Sequence, residues 1–274
     1  MSGNYRKWPI ILFLAVLTAP LILMYTYLFV DTVTNSPVGS MIPNEFTLEH
    51  WRFLTETLPG RPSIWLATWN TFVFATITTV IVLVVSSSAG YALSRLQLPM
   101  RSFFLGGILV LHAFPTVTLL IAIFLILQMV GLYNTLSGII LVKIALELPF
   151  GIWIMKGFYD TVPWEIEMAG IQDGATRFQV WIKLVLPNVK PAIMALGIFS
   201  FLAGWSEFIL PLVLAPGNNV QVLSVYLAAI IADDNNFDIG LFKSVGVFYV
   251  LPVIILFVFF QNKLMNIYSG GTTG

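Results

Sequence analysis

From Glu165 to Pro191 the chain reads "EIEMAGIQDGATRFQVWIKLVLPNVKP", a charged, turn-forming passage between apolar segments that are each long enough to cross a bilayer. Pro163 suits the first turn of a helix, and Glu165 and Glu167 follow where the helix dipole favours negative charge. Asp173-Gly174 breaks that helix, because glycine accepts the left-handed conformation that ends helices. Thr176 is a candidate N-cap for a second helix, "TRFQVWIKLVLP", whose Phe178, Trp181, Ile182 and Val185 form an apolar stripe. Pro187 and Pro191 close the passage. The expectation is helix, tight turn, helix, within a loop bounded by residues 159 and 190.

The rest of the 274-residue chain is oily. Hydrophobic residues make up 58% and charged residues 9%, against roughly 45–50% and about 25% in soluble domains. Thirteen Lys+Arg balance thirteen Asp+Glu, so no basic excess points to nucleic acid, and the absence of cysteine excludes disulfides and thiolate metal sites. Six segments reach the roughly 20 apolar residues that a span needs: 8–30, 66–93, 103–130, 137–158, 191–213 and 244–262. The first is longer than a signal-peptide core and no A-x-A site follows, so it is read as a retained helix. With no strong internal repeat or linker, one all-α, polytopic membrane domain over 1–274 is the simplest organisation.

Orientation follows from the positive charges. With the N-terminus inside, Arg6, Lys7, Arg95, Arg101, Lys156, Arg177, Lys183, Lys190 and Lys263 are cytoplasmic, Arg52, Arg61 and Lys243 face out, and Lys143 lies in the membrane. Nine against three puts both termini, and the opening passage, inside. Outside, "NEFTLEHWRFLTETL" carries Phe46, Leu48, Trp51, Leu54 and Leu58 at helix-like spacing and is expected to lie as an amphipathic helix at the interface. The apolar middle of "APGNNVQVLSVYLAAIIADDNNFDIG" is too short for a seventh span.

Ionisable groups within spans are functional candidates. Lys143 and Glu147, four apart on span four, either neutralise each other beside a wet cavity or line a substrate path, bonding hydroxyls or an anionic substituent. Glu207 contacts a partner chain or the path; beside it, Trp205 is a stacking surface for a ring of the solute or an interfacial anchor. His112 is a hydrogen-bonded helix residue near Phe114-Pro115 or a further lining group. Pro20, Pro115, Pro149, Pro211 and Pro252 fall within or at the ends of spans, where freed carbonyls need other partners.

From Gly174, nine residues lead to Leu184-Val185-Leu186-Pro187. The pattern G-x(9)-[IL]-x-L-P, after an acidic-alanine segment, resembles the EAA loop of ABC importer permeases, above all the carbohydrate-uptake class related to the second permease of the maltose importer. Against P-x-E-[LI]-E-E-A-A-x-[IL]-D-G-A, this chain keeps Pro163, Glu165, Ile166, Glu167, Ala169, Asp173, Gly174 and Ala175. Met168 replaces the second paired acid and Gly170 the second alanine; Glu167 takes the missing acid's place only with a local shift in register. "NTFVFATITTVIVLVVSSSAGYALSRL" from Asn70, "GLYNTLSGIIL" from Gly131, "WSEFILPLVL" from Trp205 and "FFQNKLMNIYSGG" from Phe259 resemble further family segments in order.

The resemblance implies a type I ABC importer permease fold with six transmembrane helices in a bacterial inner membrane. It implies coupling residues Glu165, Glu167, Met168, Ala169, Gly170, Asp173, Gly174, Ala175, Leu186 and Pro187, and no catalytic ones. The implied partners are a homologous second permease, two ATPase subunits that bind ATP and Mg, an external solute-binding protein and a saccharide-like substrate. In keeping with this, the chain has no G-x-x-x-x-G-K-[ST] phosphate loop and no Gly-Lys pair. A stand-alone secondary transporter is disfavoured by six spans without paired halves. A membrane enzyme is disfavoured by His50 and His112 lying far apart, by the lack of HExxH, and by Ser269 falling in the terminal tail.

Overall fold

A computed structural model describes residues 7–35, 45–232 and 238–269, of which 262–269 are described as backbone. Arg6 and the side chain of Lys263, both used in the orientation count, and part of the terminal "FFQNKLMNIYSGG" stretch lie outside what is described. Among the described residues every regular element is helical, and one isolated antiparallel bridge joins Thr34 to Phe46. The Cα framework divides into two compact units, Met1–Ile64 with Leu227–Pro252, and Trp65–Tyr226 with Val253–Gly274.

In the first unit, α1 (Trp8–Asp31) starts with Pro9 in its first turn and keeps Pro20 inside without breaking. The stretch expected to be an amphipathic helix is instead a six-residue 3-10 helix, Glu49–Leu54. Its buried anchor is Phe53, packed edge-on against Phe248, while Phe46 and Leu48 are exposed. Polar ties rather than an apolar stripe hold it: Trp51 Nε1 donates to Thr32 O at 3.1 Å, and Arg52 pairs with Asp238 at 3.2 Å. Elsewhere in this unit Lys243 pairs with Asp31, and Arg61 donates to Ala229 O.

The second unit is built on α2 (Ile64–Arg95, which begins at the last residue of the first unit), α3 (Arg101–Ala113), α4 (Thr116–Met129) and α5 (Leu136–Asp160). Then come α6 (Trp164–Gln172), α7 (Arg177–Val180), a π-helical turn (Trp181–Val185), α8 (Leu186–Asn188), α9 (Lys190–Trp205) and α10 (Ile209–Leu214). The helices α11 (Leu223–Ile231) and α12 (Ile239–Ser269) are shared, their residues from Leu227 to Pro252 belonging to the first unit; at nine residues α11 is no span, as its sequence implies.

Among the described residues four helices, α1, α2, α5 and α12, are unbroken and long enough to cross a membrane. The other two expected spans are bent. Residues 103–130 divide into α3 and α4 at 96°, because Phe114 is extended ahead of Pro115, which has no N–H to continue the helix. Residues 191–213 divide at Ser206–Phe208, so α9 ends at Trp205, and α9 meets the α7–α8 segment at 75°.

Two apolar cores fill this unit. One gathers Phe74, Val82, Leu127, Ile139, Ile144 and Leu210; the other Tyr91, Met155, Tyr159, Val180, Val185 and Val189 beside α6 and α7. Asn70 Nδ2 donates to Asn219 O and Gln221 O, fastening α2 to the turn after α10. Gly90 lets α2 and α5 approach closely: a Cβ there would lie 2.8 Å from Met155 Cβ and 2.9 Å from Lys156 N. Gly90→Val is therefore expected to cost about 1–3 kcal/mol through overpacking. It should lower the thermal midpoint of the purified protein by several degrees; an unchanged midpoint would contradict this helix contact.

Candidate functional site

The Glu165–Pro187 passage folds as its sequence implies at both ends of the turn. Asp173 closes α6 and Gly174 takes φ +86°. Gly174 N donates to Ile171 O and Ala175 N to Gly170 O, both at 3.0 Å, the paired bonds of a Schellman cap. Thr176 and Gln179 then form a reciprocal capping box. The second helix differs from expectation. A π-helical turn at Trp181–Val185 rotates the stripe, so Val180, Val185 and Val189 are buried while Phe178 and Ile182 stay 65% and 42% exposed. Trp164 is also exposed, giving the segment an apolar outer face. Gly170 is buried because α6 rides directly on the second helix: a Cβ there would stand 2.6 Å from Leu184 Cδ1. Alanine, usual at that position in the resembled pattern, would require the Leu184 side chain to shift.

Glu165, Ala169, Asp173, Gly174 and Pro187 are exposed, and Met168, Ala175 and Leu186 are half-buried. Glu167 is not at the surface. Its carboxylate pairs with Arg95 Nε at 2.8 Å, the side chains being 7% (Arg95) and 1% (Glu167) exposed, and accepts from Tyr91 Oη at 3.3 Å. The resemblance implies Glu167 as a coupling residue; the helical turn carries its side chain inward, onto α2.

Arg95 is the centre of that contact. Its Nη2 donates to Tyr159 O at 2.7 Å and Val162 O at 2.5 Å, and its guanidinium lies 5.2 Å from the Trp164 ring centroid. Around it Tyr91 stacks on Trp181 and meets Tyr159 edge-on; Tyr159 Oη shares a 2.7 Å hydrogen bond with Ser87 and accepts from Trp181 Nε1 at 3.1 Å. One connected network thus joins α6 and the π-helical turn to α2 and α5. Sequence reasoning counted Arg95 only as a cytoplasmic cation, since nothing local marks a partner 72 residues away.

Within the spans, Lys143 and Glu147 pair at 3.2 Å, one turn apart as their spacing implies. Lys143 also meets Glu207 at 2.7 Å, making an acid–base–acid group. Glu207 accepts backbone N–H bonds from Phe208 and Leu210, which accounts for the helix break between α9 and α10. Glu147 accepts from Ser200 Oγ at 2.6 Å. Trp205 is corrected as a stacking surface: it is 2% exposed and stacked on Phe201, so its ring faces protein. His112 stacks on Phe150 at 5.4 Å and lines a cavity of about 440 Å³ together with Glu147 and Ser200.

A multi-pass helical protein with bent spans, an intramembrane charge group and an exposed helix-turn-helix tied to its spans is organised as a membrane transport component. Residues 95–264 match the binding-protein-dependent transport system inner membrane component family, and the chain belongs to it. It is 29% identical over 98% of its length to the diacetylchitobiose uptake system permease protein DasC of Streptomyces coelicolor, covering 96% of that protein. It is 27% identical to the maltose/maltodextrin transport system permease protein MalG of Salmonella typhimurium, over 97% of this chain and 94% of that one. A solved bacterial ABC transporter involved in importing the acidic polysaccharide alginate has the same fold, with a TM-score of 0.77 at 22% identity over 96% of this chain and 98% of that one. The chain is thus a permease subunit of the inner membrane.

Removing one partner of the Arg95–Glu167 pair should destabilise by about 3–5 kcal/mol, because the other charge stays buried. Arg95→Met combined with Glu167→Met should cost clearly less than the sum of the two. Denaturation of the four proteins checks this; additive losses would show that the pair is not coupled.

Proposed function

We propose that this chain is one of two membrane subunits of an ATP-driven importer for a saccharide or sugar derivative, with both termini in the cytoplasm. It works with a homologous permease, an external solute-binding protein and two ATPase subunits that hold ATP and Mg. The relatives that match nearly the full chain are named for sugar uptake, which supports the cargo class. The surplus of Lys and Arg on the N-terminal side of the spans supports the orientation.

One observation carries the coupling role: the Glu165–Pro187 segment has two unlike faces. Its inner face is fixed to α2 and α5 by the Arg95–Glu167 pair and the Tyr91–Trp181–Tyr159 group. Its outer face presents Trp164, Phe178 and Ile182 with Glu165 and Asp173. Apolar side chains rimmed by charge suit a docking contact with another subunit. ATP-driven closure of the ATPase pair would move this segment as a body, and the inner network would carry the displacement into the spans. Binding energy would thereby shift the permease between inward- and outward-open populations. The chain supplies positioning groups for this work and no reacting ones.

Met168 bears on the interface. It is half-buried and uncharged, and Glu167 is engaged with Arg95, so Glu165 and Asp173 are the acids of this segment left to meet cations of an ATPase subunit.

Gly174→Val tests the reading, since a β-branched residue at φ +86° is strained. Stimulated ATP hydrolysis in the reconstituted complex should persist while uptake per ATP falls by about tenfold or more, or the ATPase subunits should be lost on purification. Wild-type coupling and wild-type assembly together would contradict the proposal, as would transport by this chain alone.

A further inference from the structure

A cavity between α2, α3, α5 and α9 has one carboxylate, Glu147, in its lining. Its walls are mostly apolar, with Phe150 and Phe199 among them, and Glu147, His112 and Ser200 bring polar groups to it. Glu147 sits 11 residues into the 25-residue α5, about 17 Å along the helix axis and close to the middle of that helix.

Lys143, Glu147 and Glu207 together hold one ammonium between two carboxylates, a formal surplus of one negative charge. The surplus is not shared evenly. Lys143 lies closer to Glu207, at 2.7 Å against 3.2 Å, and Glu207 is further satisfied by the Phe208 and Leu210 N–H groups. Glu147 has the Ser200 hydroxyl on Oε2, and its Oε1 meets Lys143 Nζ only at 3.2 Å, an ion pair without hydrogen-bond geometry. Of the three charged groups, Glu147 is also the one that lines the cavity. An ionised carboxylate can only accept hydrogen bonds, and apolar walls focus its field into the space in front of it. Lys143, held between two acids, has no free charge to offer an anionic substituent.

Building on the saccharide-importer reading, we infer that Glu147 acts as a charge filter in the translocation path. The part of the cargo that passes it is neutral or cationic and donates hydrogen bonds from hydroxyl, amide or ammonium groups. Uronate, sulfonate and phosphate substituents are rejected there. The role of Lys143 is positioning: it holds Glu147 and Glu207 in place and gives α5 a fixed register against the α9–α10 break.

The chain has no cysteine, so a single thiol reports the potential directly. Ala203→Cys places one on the cavity lining. In the reconstituted complex, its reaction with 2-(trimethylammonium)ethyl methanethiosulfonate is compared with that of the 2-sulfonatoethyl reagent, each normalised to its rate on free 2-mercaptoethanol. Labelling of this chain is read by mass spectrometry. The cationic reagent should be favoured by about tenfold or more, and Glu147→Gln should bring the ratio to within about threefold. Millimolar D-glucosamine and D-glucose should slow labelling, while D-glucuronate should not.

The ratio and the sugar protection are read without changing Glu147, so they stand even if Glu147→Gln fails to assemble. Equal or faster reaction of the anionic reagent overturns the inference, as does protection by D-glucuronate as strong as that by D-glucosamine, or no protection by any of the three sugars. ATPase stimulation by the solute-binding protein is measured on the same preparation. Stimulation with the wrong labelling pattern sinks the charge filter alone, whereas absent stimulation sinks the importer reading.

Discussion

The buried pair between Arg95 and Glu167 is the constraint from which the cytoplasmic half of the protein follows. Two ions withdrawn from water are tolerated only with close geometry and further hydrogen bonds. Here those come from Tyr91 on the carboxylate and from the Tyr159 and Val162 carbonyls on the guanidinium. Meeting these requirements leaves α6 little freedom to slide or roll. Its inner face must look at the end of α2, and its outer face is therefore fixed as well. The Schellman turn at Gly174 and the capping box at Thr176 set the second helix relative to the first, so local backbone chemistry extends a long-range ionic contact into a rigid two-helix body.

Charge plays the same part deeper in the membrane. Lys143, Glu147 and Glu207 would each be expensive alone at their depth; as a group they tie α5 to α9 through Ser200 and to the start of α10 through Glu207. The break after Trp205 belongs to this arrangement, because the carboxylate that meets Lys143 also collects the backbone N–H groups a continuous helix would have used. The helix breaks at Pro115 and Glu207 thus have separate causes, one a missing donor and the other a side chain competing for donors.

Much of this was legible in the sequence, and the remainder was not for identifiable reasons. Apolar length marked the four unbroken spans and the broken apolar segments between them, and Gly174, Thr176 and the Lys143–Glu147 spacing announced contacts that operate within a turn or two of chain. The partners of Arg95, Glu167 and Glu207 lie 64 to 72 residues apart, beyond any periodicity. Phe46 and Leu48 imitated an amphipathic helix, but hydrogen bonds from Trp51 and Arg52 decided that segment. The π-helical turn at Trp181–Val185 defeated the stripe argument by adding a residue to the helical period, which turned Phe178 and Ile182 outward. The resemblance to importer permeases located the coupling segment, while the structure separated its inward-facing acid from its outward-facing ones.

If α6 is a rigid extension of α2, the two must move together during transport. Spin labels at the exposed positions Val84 and Gln172, introduced through single cysteines on this cysteine-free chain, report the separation by electron–electron resonance in the assembled complex. The account predicts one narrow distance distribution that stays unchanged between nucleotide-free, ATP-bound and post-hydrolysis states, and that broadens when Arg95 and Glu167 are both replaced by Met. A distribution that shifts with nucleotide in the unaltered pair background, or that ignores loss of the pair, would contradict it.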